Sequence, residues 1–187
     1  MFFEVHRLGV FTSRSLDIDV VLDLMIHDLD IVLDFVQSPV KTVSAVGLPI
    51  LSNKIDIANA RIEFANGCVA NLTASRVSTE KVRKMRFFQP NEYVSVDYSR
   101  QDVVVLTVQP GTGNHEPIIT PRKLETQRIE PLRAEIESFV RSVRSRSRPE
   151  VTAESSKQAL QLAHWVVQKI GEHAQQFPLS LSFGRKE

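Results

Sequence analysis

The sequence predicts an α+β fold: a large open, mainly antiparallel sheet with helices packed on one face. Three observations predict it. Six β-branched or alternating segments follow one another between Val40 and Gln109 with no helical stretch among them, one long apolar helix precedes them, and helical spacing returns in the last third of the chain. The 187 residues suffice for about one domain of usual size, so residues 1–187 are read as a single unit.

The elements follow in order. Phe2 to Val10 reads as a short strand, and Thr12 to Ser15 as a polar turn. From Asp19 to about Gln37 the chain holds no Pro or Gly, Asp19 is available as N-cap, and Ser38-Pro39 ends the run. The six strand segments are 40–50, 56–65, 68–77, 82–89, 93–98 and 103–109, with Asn66-Gly67 as the strongest hairpin signal. Turns are expected at Gln89 to Glu92 and at Ser99 to Asp102, giving an antiparallel meander. Pro110 to Pro121 has loop composition, and Arg122 to Ile129 is the candidate last strand. A helix starts at Glu130-Pro131 with an apolar stripe of Leu132, Ile136, Phe139, Val140 and Val143. Another runs from Thr152 to about Gln175 and buries Leu160, Ala163, Val167 and Ile170.

Composition excludes several functions. Twenty-three Lys and Arg balance 22 Asp and Glu, a net charge of +1, so no global field recruits nucleic acid or an acidic membrane. The local cluster Arg141, Arg144, Arg146 and Arg148 has no interleaved aromatic residues and suits a helix end better than nucleic acid. The one cysteine, Cys68, can form no internal disulfide and is read as a core residue. No stretch is apolar enough to span a membrane and no secretory leader is visible, so a cytoplasmic location is expected. Seven glycines leave few phosphate cradles. Only Gly111-Thr112-Gly113 brings two together, no third glycine opens a helix after it, and no glycine is followed by lysine. No Rossmann turn is present.

At 100° per residue, Asp19, Asp23, His27, Asp30 and Asp34 share one narrow arc of the first helix, while its other faces are nearly all apolar. A helix wrapped in core that keeps one polar stripe lines a cleft. Asp23 and His27 are four apart, so the carboxylate can orient the imidazole, and an imidazole suits removal of a hydroxyl proton near neutral pH. A solvated helix face has the same spacing. Asp23, His27 and Asp30 also offer three ligands to a metal, but transition-metal sites recruit more imidazole or thiolate, and no metal is expected. Asp28 points into the apolar side and needs a hydrogen-bonded or cationic partner. Arg7 and Arg14, just before the helix, can reach a phosphate or carboxylate of a substrate, as can Arg76 at the end of a hairpin strand; a surface ion pair is the alternative for each.

The segment Asp19-Val-Val-Leu-Asp23-Leu-Met-Ile-His27-Asp28-Leu-Asp30 resembles the helix motif of the glucose–fructose oxidoreductase, inositol dehydrogenase and rhizopine-catabolism (Gfo/Idh/MocA) family: Asp, His four later, Asp three beyond. The strand Phe3 to Val10, the segment Tyr93-Val-Ser-Val-Asp97-Tyr98, and Pro149 to Glu154 with Ala159-Leu160 extend the resemblance over nearly the whole chain. It implies a dihydrodipicolinate-reductase-like C-terminal domain for substrate binding and oligomerisation, with NAD or NADP bound mainly by an N-terminal Rossmann domain that this chain lacks. By the same resemblance, His27 is the acid/base and Asp23 its orienting partner, while Asp30, Arg7, Arg14 and Arg76 are candidates for substrate binding. The implied reaction oxidises or reduces a carbon bearing a hydroxyl on a sugar, cyclitol or nucleotide sugar, and the wording of the helix motif is closest to members acting on UDP-N-acetylglucosamine or related sugars. The isolated chain is expected to be inactive. A homodimer or homotetramer through the open sheet face is expected, because the helices can cover only one face. The competing reading is a non-catalytic binding or assembly module of the same fold.

Overall fold

The computed structural model of the chain describes residues 1–13, 16–111 and 116–176. Eight strands form one sheet: β1 (Phe2–Val10), β2 (Val40–Leu48), β3 (Ile57–Phe64), β4 (Val69–Ser78), β5 (Val82–Gln89), β6 (Glu92–Asp97), β7 (Asp102–Gln109) and β8 (Ile118–Leu124). Three helical stretches accompany them: a π-helical turn (Val21–Met25) running into α1 (Ile26–Val36), then α2 (Pro131–Ser145) and α3 (Ala153–Gln176).

The strand order is β2-β3-β4-β1-β5-β6-β7-β8. The simple meander expected from the run of strands is therefore interrupted, because β1 lies between β4 and β5, parallel to the first and antiparallel to the second. The chain leaves β1, crosses over through α1 to the sheet edge, and returns by β2, β3 and β4 to pair with β1 from the other side. Phe3 and Val5 of β1 are almost fully enclosed, which accounts for its interior place. The last strand begins at Ile118 rather than Arg122. Its proline, Pro121, is tolerated because β8 is an edge strand.

The core lies between the β2-β3-β4-β1 half of the sheet and the π-turn, α1 and α3. Ala58, Ala60, Ile62 and Phe64 of β3 alternate inward with Ala70, Leu72 and Ala74 of β4. The alanines among them let the helices approach the sheet closely. α1 contributes Leu29, Val32 and Val36, and α3 contributes Ala159, Leu162, Ala163, Val166 and Ile170 at helical spacing. Leu160, expected in that stripe, is 43 % exposed, so the buried face of α3 is turned from the expected one. Cys68 is buried, and Trp165 packs against the core. Gly67 supplies the positive φ of 83° in the β3–β4 hairpin.

α2 starts at Glu130-Pro131 as expected, and the Glu130 side chain caps it, accepting from the N–H groups of Leu132 and Arg133. Yet α2 buries none of its residues, and its apolar stripe is left open. Gly47 is a tight point of contact. A Cβ there would sit 2.8 Å from Ile55 Cγ2 and 3.0 Å from Ile170 Cδ1, wedging β2 away from α3. Gly47→Val is expected to cost about 2 kcal/mol through overpacking, read as a lower urea midpoint with unchanged m. A midpoint equal to that of the wild type would show that α3 yields freely.

Candidate active site on the first helix

The helix that carries the polar stripe is anchored before it begins. Asp56 is wholly enclosed, and its Oδ2 accepts from the N–H groups of Ile50, Leu51 and Ser52 at 2.7–2.9 Å while Oδ1 accepts the Ser52 hydroxyl at 2.7 Å. Burial alone would raise the Asp56 pKa, but the hydrogen bonds from Leu51, Ile50 and Ser52 prevail and bring it down to about 2. The carboxylate thus folds the β2–β3 loop around itself. Ile55 of that loop receives the Val20 N–H at 2.9 Å on its carbonyl and gives its own N–H to Asp19 Oδ1 at 2.9 Å. Arg76 closes the group. It donates to the Ile18 carbonyl and stands 3.6 Å from Asp56.

Two expectations change here. Asp19 does not cap its own helix with its side chain, because that carboxylate is bound to the β2–β3 loop; only its carbonyl enters the helix, accepting from Leu22 and Asp23. The run from Asp19 to Gln37 is also not one α-helix, since residues 21–25 are π-helical. The wider winding rotates Asp19 and Asp23 relative to a 100° projection. Asp23 and Asp30 are half-buried, whereas His27 and Asp34 are exposed. No hydrogen bond joins Asp23 to His27, and among the described residues no group of three metal-ligating side chains comes together.

The arginines separate. Arg7 on β1 makes a two-pronged pair with Asp28, Nε to Oδ2 and Nη2 to Oδ1, both at 2.7 Å. Burial opposes the Arg7 charge, but the Asp28 hydrogen bonds and charge outweigh it and hold the guanidinium above its ordinary pKa. Asp28 has thereby the cationic partner its position demanded. Arg76 is 7 % exposed and engaged within the fold, so its place is that of a clamp on the helix entrance and not of a group facing substrate. Arg14 lies outside the described residues.

Beside α1 opens a cavity of about 400 Å³, walled by Arg7, Ile31, Arg83, Tyr98 and Ile129 among others. Ile31 on its wall is four residues beyond His27, a rise of about 6 Å along the helix. Burial and the charge of Asp28 raise the Tyr98 pKa, opposed in part by Arg7. Arg83 and Tyr98 carry no sequence signal that marks them as site residues. Their neighbours are set by strand pairing, which local spacing does not reveal.

The profile of the GFO/IDH/MocA C-terminal domain matches residues 5–89. UDP-N-acetylglucosamine 3-dehydrogenase of Acidithiobacillus ferrooxidans is 39% identical over 142 residues, which are 76% of this chain and 45% of that protein. The chain belongs to the Gfo/Idh/MocA family. A solved structure of the same Acidithiobacillus ferrooxidans enzyme superposes with a TM-score of 0.85 at 34% identity, covering 93% of this chain and 56% of that one. Levoglucosan dehydrogenase, solved with NADH and levoglucosan, shares the fold with a TM-score of 0.76 at 14% identity over 92% of this chain and 57% of that one. This member of the family spans about half the length of the relatives it matches. No described helix is long and apolar enough to cross a membrane.

Proposed function

We propose that this chain is the substrate-binding and oligomerisation domain of an NAD(P)-dependent oxidoreductase acting on a CH–OH group of a nucleotide sugar of the UDP-N-acetylglucosamine type. The supporting observation is the exposed His27 on a helix whose entrance is clamped by Asp19, Ile55, Arg76 and Asp56, in a chain 39% identical to an enzyme named for that substrate. His27 takes the proton of the reacting hydroxyl as the carbonyl forms, Asp23 orients it, and Asp30 faces the sugar from the next turn. The nicotinamide, when bound, accepts the hydride. Among the described residues the β1-to-helix connection holds no glycine-rich turn of the kind that cradles dinucleotide phosphates. The setting is cytoplasmic.

The open face of the sheet is the oligomer contact. Phe2, Phe88 and Tyr93 cluster there with ring centroids 6.0 and 4.9 Å apart, bordered by the Glu4–Arg86 and Lys84–Asp97 pairs. The test is a paired measurement on the enzyme containing this domain. Reduced nicotinamide is followed at steady state with UDP-N-acetylglucosamine and with UDP-glucose, and mass is taken by sedimentation equilibrium. Turnover with the first sugar and a dimer or tetramer are expected. Binding without turnover would leave the module reading, and a clean monomer at high concentration would overturn the sheet contact.

A further inference from the structure

The register of β1 and β5 sets Arg7 directly opposite Arg83, so two guanidinium groups share one face of the sheet. The Tyr98 N–H donates to the Arg83 carbonyl at 2.9 Å, which continues the ladder and adds the phenol to the same row. Like charges placed opposite each other are destabilising unless something neutralises them. Asp28 does this for Arg7 alone, with both carboxylate oxygens engaged. Arg83 is exposed, and among the described residues its side chain has neither an ion pair nor a hydrogen bond. The other carboxylate on the cavity wall, Asp97, is turned to Lys84 at 3.5 Å and Arg100 at 3.9 Å and accepts from the N–H groups of Ser99 and Arg100. The cavity therefore carries one uncompensated positive charge beside an arginine already fixed in place.

Resting on the nucleotide-sugar reading above, we infer that this cavity is an anion subsite in which Arg83 binds the diphosphate of the substrate. Among the described residues the hydroxyl of Tyr98 has only the Met85 sulfur as acceptor, at 3.7 Å, and it turns to a phosphate oxygen when the anion binds. Arg7 shapes the floor through Asp28 instead of contacting the ligand. The row from His27 to Ile31 sets the separation. The four-residue rise, about 6 Å, is comparable with the distance across a hexose ring from a reacting ring hydroxyl to the phosphate on its anomeric carbon. Arg83 thus fixes which end of the sugar reaches His27.

The experiment titrates the chain, by calorimetry and through the methyl resonances of Ile31 and Ile129, with inorganic pyrophosphate, UDP-N-acetylglucosamine and free N-acetylglucosamine. Arg83→Ala is expected to weaken pyrophosphate and UDP-N-acetylglucosamine by about tenfold or more, Arg83→Lys to recover part of that, and the Ile31 methyl shift on pyrophosphate binding to follow the same order, largest in the wild type and smallest in Arg83→Ala. Arg83 is on the surface, and circular dichroism checks that the variants fold. Pyrophosphate bound in an Arg83-dependent way without any affinity for the sugar nucleotide would sustain the anion subsite and overturn the nucleotide-sugar reading. Sugar-nucleotide binding that ignores Arg83→Ala would overturn the subsite and leave that reading standing. A wild type that binds neither overturns the subsite.

Discussion

His27→Ala is expected to lower kcat by roughly 10²–10⁴-fold in the enzyme containing this domain, with KM for the sugar nucleotide changed little, because general acid–base catalysis contributes about that much. The asymmetry follows from position. His27 is exposed at the rim of its helix, so removing it leaves no void, whereas Leu29 and Val32 on the inner side carry the packing. A loss of stability is not expected, and added imidazole should restore part of the turnover of His27→Ala. Asp23→Asn separates orientation from structure. It should lower kcat by about tenfold at constant KM, and Asp23→Glu should recover part of it. Equal turnover in wild type, His27→Ala and Asp23→Asn would remove both residues from the chemistry and leave the fold as a binding or assembly module.

What the sequence discloses and what it hides divide along the line between local and non-local interactions. The Asn66-Gly67 hairpin, the limits of β1 and the start of α2 at Glu130-Pro131 are local matters of turn chemistry and spacing, and they stand where spacing puts them. The demand of Asp28 for a partner was also legible, because an aspartate on the apolar side of a helix must be compensated. The identity of that partner was not. Arg7 is 21 residues away in sequence and meets Asp28 only because α1 crosses β1. The same insertion of β1 beside β5 brings Arg7 opposite Arg83, an adjacency that a simple meander would never produce. The π-helical turn is hidden for another reason. Residues 21–25 have ordinary helix-forming composition, and the Asp19 and Val20 bonds to Ile55, which tie the helix entrance to a distant loop, are invisible to local spacing. The apolar stripe of α2 is legible as a stripe, but amphipathicity does not say what covers it, and here nothing within the described residues does.

Asp56→Ala is expected to destabilise the fold by about 3–5 kcal/mol, the cost of breaking a buried ion pair from one side. The substitution leaves the N–H groups of Ile50, Leu51 and Ser52 without their acceptor and Arg76 without the carboxylate 3.6 Å away. The β2–β3 loop then loosens, and with it the Ile55 bonds that hold Asp19 and Val20. Damage therefore reaches the helix that presents His27, although Asp56 faces no substrate. The pH dependence gives a second, independent signature. The folded-state pKa of about 2 lies below the ordinary aspartate value of 3.8, so the unfolded chain binds the proton first as pH falls. The contribution of Asp56 is thus complete above the unfolded value and is lost as pH drops from about 4 toward 2. Urea midpoints of wild type and Asp56→Asn measured at pH 7, 4, 3 and 2 should show a gap that is widest at the first and closes across the last three. A gap independent of pH would mean that shape, and not charge, makes Asp56 the pivot of the loop.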